Sequence, residues 1–96
     1  MAERQNYNHG LVKVGELLTQ KRKALGSAYQ TREGFISRRS DELFSGEAWI
    51  SSRHLANLEL GKNWPSIEML LFLATALEED PVDLFHEIIE TYQNFK

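Results

Sequence analysis

The sequence predicts an all-α protein of about five short helices. Three observations carry that prediction. Apolar residues recur at helical spacing along most of the chain, as in Ile67, Leu70, Leu71, Ala74 and Leu77. Nothing alternates with period two for long enough to make a strand. Capping residues and glycine stops divide the chain at short intervals: Gly26, Thr31, Ser51, Gly61, Ser66 and Asp80-Pro81.

Residues 1–10 read as a flexible N-terminal arm, and residues 11–96 as one domain. Helix 1 is expected from about Val12 to Leu25. Val14, Leu17, Leu18 and Leu25 lie on one stripe, Lys21 snorkels and Gly26 stops the helix. Helix 2 is expected over about 31–43. Thr31 is its N-cap, Glu33 lies in its first turn, and Gly34 costs roughly 1 kcal/mol relative to alanine. Ser45-Gly46 reads as a break. Helix 3 is expected over about 51–60, capped by Ser51, with Leu55 and Leu58 inward and Ile50 stapling its start. Ser66 caps helix 4. Asp80 caps helix 5, about 81–95, with Pro81 at its first position.

Of the 96 residues, 42% are hydrophobic and 26% charged, as in ordinary soluble domains. Cysteine is absent, which excludes disulfides and cysteine-based metal centres and points to a cytoplasmic location. No apolar run is long enough to span a membrane, and none resembles a secretory signal. The net charge is −3, but it is polarised. Residues 1–40 carry eight Lys or Arg against three Glu, whereas residues 67–96 carry seven Asp or Glu against Lys96. Such a chain either presents a positive face to phosphate or pairs basic helices with acidic ones.

The second half contains an ordered set of motifs. Ile50-Ser51 precedes Leu55-x-x-Leu58-Glu59-x-Gly61-Lys62-x-x-Pro65-Ser66, then Leu70-x-x-Leu73-Ala74-x-Ala76-Leu77 and Asp83-Leu84-Phe85. In order and spacing this resembles the Cro/C1-type (XRE) helix-turn-helix family of repressors, over about residues 12–86. The resemblance implies a five-helix lambda-repressor-like domain. It implies a transcriptional regulator that binds double-stranded DNA, usually as a dimer on a two-fold operator, with helix 3 in the major groove. The chain departs from the family between helices 2 and 3. Roughly nine extra residues, about Arg39 to Ala48, replace the tight turn of the motif and read as a longer helix 2 plus a loop.

The same resemblance marks candidate residues. Ser52, Arg53 and Asn57 match positions that read bases, with Arg53 suited to guanine and Asn57 to adenine. Without the resemblance, the same residues read as the solvated face opposite Leu55 and Leu58. Ser51 caps helix 3 and offers its end to phosphate, and His54 faces either DNA or solvent. Lys62, Asn63 and Arg32 are phosphate-contact candidates, and Arg22 and Glu59 match a structural ion pair between helices 1 and 3. Lys21, Lys23, Arg38 and Arg39 read as a solvated basic surface, and Trp64 as a cap over helix 4.

No catalytic triad, phosphate loop or paired-carboxylate cleft is recognisable, so no enzyme and no cofactor are expected. His86 and Glu90 have the spacing of a surface pair rather than a metal site. The apolar tail residues Ile88, Ile89, Tyr92 and Phe95 suggest a homodimer through helix 5; the alternative is a tail folded back over helix 1. Two further functions stay open on these residues: the DNA-binding antitoxin of a toxin–antitoxin pair, and a protein-interaction module on the same fold.

Overall fold

The computed structural model describes residues 8–96, which form five α-helices, one short 3₁₀ turn and no strand. Most of the expected flexible arm, residues 1–7, lies outside the described residues. Its last three residues are helical or capping instead. Helix α1 spans His9–Lys23, and the Asn8 side chain accepts the Leu11 N–H at 3.0 Å. The asparagine read as an arm residue is thus an N-cap, and the helix begins three residues before the expected Val12. The 3₁₀ turn Ser27–Tyr29 follows.

Helix α2 spans Arg32–Leu43, with Thr31 accepting the Gly34 N–H at 3.0 Å. Beyond it, Ser45 and Gly46 both take positive φ (56° and 79°) and turn the chain back. The Ser40 hydroxyl donates to the Glu47 carbonyl at 2.6 Å and closes the loop. The segment returns to the core through Trp49, which is buried, stacks on Phe44 at 4.9 Å and donates its indole N–H to the Ile36 carbonyl. The extra residues thus make a small aromatic annex, in which Phe44 also meets Phe72 edge-on.

Helix α3 spans Ser52–Glu59, α4 spans Ile67–Ala76 and α5 spans Pro81–Phe95. Asp80 caps α5 by accepting the Val82 and Asp83 N–H groups. The core is drawn from every helix: Leu11, Val14 and Leu18 of α1, Phe35 of α2, Leu55 and Leu58 of α3, Leu73 and Ala74 of α4, and Leu84 and Ile88 of α5. Burying each of the larger aliphatic side chains contributes roughly 1.5–3 kcal/mol.

The structure corrects several expectations. Of the stripe expected to form a dimer, Ile88 is a core residue, 1% exposed, Tyr92 and Ile89 are partly buried, and Phe95 is exposed, so the stripe is in part consumed within the chain. The tail folds back on α1, where Phe95 meets His9 edge-on and lies under Lys13. Trp64, half-exposed, also meets α5, with its ring edge-on 4.9 Å from that of Tyr92. On α4 the expected stripe is only partly the buried face: Leu70, Ala74 and Leu77 are buried, but Ile67 and Leu71 are exposed while Met69, Leu73 and Ala76 are buried as well. This helix is apolar nearly all round, so periodicity alone does not choose a side.

Two cations expected in solvent are structural. Arg39 is buried, stacks on the Tyr29 ring and donates to Glu42 and Glu78, tying α2 to the α4–α5 connection. Lys21 lies 2.7 Å from Glu79 and 2.6 Å from Glu87, tying α1 to α5. Burial acts to lower the Lys21 pKa, but its bonds to the two carboxylates outweigh that and raise it above the ordinary lysine value. Part of the charge polarity of the sequence is therefore consumed inside the fold.

Candidate nucleic-acid interface

Helix α3 is two turns long, too short to persist alone, so its neighbours must hold it. At its start, the Ser51 side chain accepts the His54 N–H at 3.0 Å. At its end, Gly61 takes φ 74°, and the Lys62 N–H reaches back to the Asn57 carbonyl at 2.9 Å. Leu55 and Leu58, each 1% exposed, anchor one face in the core.

The C-terminal end of α3 lies directly on α1. A Cβ built on Gly15 would sit 2.3 Å from the Glu59 carbonyl oxygen, so only glycine permits this approach. A Cβ on Gly61 would sit 2.4 Å from the Val12 Cα, closing the same contact from the other side.

Charge reinforces this backbone contact. Arg22 of α1 donates from Nε and Nη2 to both oxygens of Glu59, at 2.7 and 2.9 Å. Its Nη1 donates to the carbonyls of Tyr29 and Gln30, at 2.9 and 2.6 Å. Arg32, at the start of α2, donates Nε to the same carboxylate at 2.8 Å. One glutamate thus gathers α1, α2 and α3, and one arginine adds the 3₁₀ turn. Burial alone would raise the Glu59 carboxyl pKa. The hydrogen bonds and charges of Arg22 and Arg32 outweigh it and hold the group below the usual carboxylate value. Bidentate geometry of this kind needs arginine; lysine does not supply it.

The N-terminal half of α3 is open. Ser51, Ser52 and Arg53 are exposed, and His54 and Asn57 are half-buried. Lys62 and Asn63 are exposed just past the other end, about 12 Å away by helical rise. The fold thus brings Ser51, Ser52, Arg53, His54 and Asn57 onto one helix and sets Lys62 and Asn63 beyond it. Arg32 does not join them as a displayed cation, because its Nε is engaged by Glu59.

Sequence reasoning passed over Glu33. Its carboxylate accepts the Ser52 hydroxyl at 3.1 Å and so sits against the candidate base-reading residues. Its pKa is lowered, first by a hydrogen bond from its own backbone N–H and then by Ser52. The position of Glu33 two residues past a Thr N-cap marked a first-turn carboxylate, but nothing in the sequence joined it to Ser52.

Among the described residues no group of three His, Cys, Asp or Glu is placed to hold a metal, and His86 and Glu90 form an exposed pair at 3.5 Å. No helix of the described residues is long and apolar enough to cross a membrane. No family model, curated protein sequence or solved structure matches the chain.

Proposed function

We propose that the chain is a lambda-repressor-like helix-turn-helix protein that binds double-stranded DNA and regulates transcription, with α3 lying in the major groove. The observation that supports this reading most is the asymmetric mounting of α3. One end is fixed by backbone contact and a buried carboxylate, while the other displays Ser52, Arg53 and Asn57 on a capped helix start. A helix that reads base edges needs that combination, because a bidentate contact tolerates little angular error. Arg53 suits guanine, Asn57 suits adenine, and Glu33 beside Ser52 suits the cytosine amino group. Lys62, Asn63 and the capped helix start at Ser51 supply phosphate contacts.

Selection from a random duplex pool tests the reading. Enrichment of a short consensus is expected, with log affinity falling linearly in log salt concentration. A chain that enriches nothing and binds no duplex even at low salt is not a DNA-binding protein.

A further inference from the structure

A second surface lies on α4 and α5 and takes no part in holding or displaying α3. Ile67 and Val82 are 68% and 73% exposed, and Leu71 and Phe85 are about half exposed. With Leu70 and Pro81 they line one open groove of about 240 Å³ between the starts of the two helices. Scattered apolar side chains are normal on a surface, but a contiguous groove of them marks an interaction site.

The charge around this groove selects its occupant. Residues 63–95, which make both walls, contain seven carboxylates and no lysine or arginine. Glu78 is paired with Arg39, and Glu79 and Glu87 share Lys21. Glu68, Asp80 and Asp83, which neighbour Ile67, Pro81 and Val82 in the chain, are exposed, and among the described residues no ion pair to a cation neutralises them. A second copy of the chain docked through the same face, as a two-fold dimer requires, would bring a second rim of carboxylates and no cation to meet the first. A basic partner would instead find apolar seats flanked by negative charge.

We propose that the α4–α5 groove docks an amphipathic basic helix of another protein. Its apolar residues, spaced i, i+3 and i+4, seat between Ile67, Leu71, Val82 and Phe85, and its lysines or arginines meet Glu68, Asp80 and Asp83. This inference does not depend on DNA binding, since it uses a different surface.

The test uses a labelled synthetic helical peptide with leucine at i, i+3, i+4 and i+7 and lysine elsewhere. A second peptide has glutamate in place of each lysine. Binding to the full chain is read by fluorescence anisotropy. Ile67→Asp and Val82→Asp alter side chains that are more than two-thirds exposed, so both variants should keep the helical circular dichroism of the parent. Each adds a negative charge, which by itself would strengthen attraction for the lysine peptide. A tenfold or greater loss of affinity in both variants, with no binding of the glutamate peptide, supports apolar docking in the groove. Three results overturn it: no binding of the lysine peptide, equal binding by the parent and both variants, or a homodimer in sedimentation that Val82→Asp dissociates.

Discussion

The two ends of α3 are built on opposite plans. At the C-terminal end, Gly15 and Gly61 let backbones touch, and a buried carboxylate collects two arginines. At the N-terminal end one serine hydroxyl caps the helix, and the next two side chains, Ser52 and Arg53, are exposed, Ser52 being bound to the exposed Glu33. Backbone contact and buried charge resist rotation, whereas a capped, solvated end does not. The difference teaches that a short helix with its apolar face in the core can have its polar restraints concentrated at one end, leaving the other to display side chains. Substitutions at the closed end should cost stability, and those of exposed side chains at the open end should cost little.

The largest effect is expected at the ion pair. Arg22→Ala leaves Glu59 buried with Arg32 alone and strips donors from the Tyr29 and Gln30 carbonyls. Breaking a buried pair on one side costs about 3–5 kcal/mol, measurable by urea denaturation. A loss below about 1 kcal/mol would mean that the pair is solvated, and the contrast between the two ends would fail. The pH dependence sharpens the same point. The Glu59 pKa is lowered in the folded state, so its contribution is complete above the ordinary carboxylate range and is lost as pH falls through the folded value. The stability gap between the parent and Glu59→Gln should therefore shrink between neutral pH and about pH 3. A gap that stays constant over that range would remove the buried carboxylate as its source.

A smaller effect is expected at the backbone contact. Gly15→Ala improves helix propensity by up to about 1 kcal/mol, which on a free helix would stabilise. Here the new methyl meets the carbonyls of Leu58 and Glu59, which are backbone atoms with no rotamer to change. α1 and α3 must separate, at a cost of about 1–3 kcal/mol or more in a thermal melt. A neutral or stabilised variant would show that the helices do not touch in solution.

The local devices were legible in the sequence. Thr31, Ser51, Ser66 and Asp80 each cap a helix, because capping depends on three or four consecutive residues. What escaped was long-range. Arg39 looks like any surface arginine until the extended α2 carries it to Glu78, 39 residues away. Trp49 belongs to no periodic pattern, yet it fastens the loop that follows α2. The tail looked uncovered because the end of helix 5 projects away from helix 4; it is the first turn of α1 that meets it, with Phe95 against His9 and Tyr92 against Gly10. At the candidate site, the pairing of Arg22 with Glu59 came only through family resemblance, since no spacing rule joins residues 37 apart. The competing claim of Arg32 on the same carboxylate could not be read at all, because it depends on where the start of α2 lies against α3.

The smallest effect on stability is expected at Arg53, and it bears most directly on function. Arg53 is exposed on the open end, so Arg53→Ala should change stability by no more than about 0.5 kcal/mol. On a selected DNA site the same change should cost about 1–3 kcal/mol of affinity and relax the preference at one base position. Lys62→Ala provides the contrast. Lysine contacts phosphate as a point charge, so its loss should weaken every sequence about equally and lower the salt slope by about one ion. Both variants are read by binding isotherms on the selected site and on random duplex at several salt concentrations. If Arg53→Ala weakens both duplexes alike, Arg53 contacts the backbone and α3 does not read bases through it. If it weakens neither, the open end of α3 does not face DNA, and the rigid mounting at its other end serves only the fold.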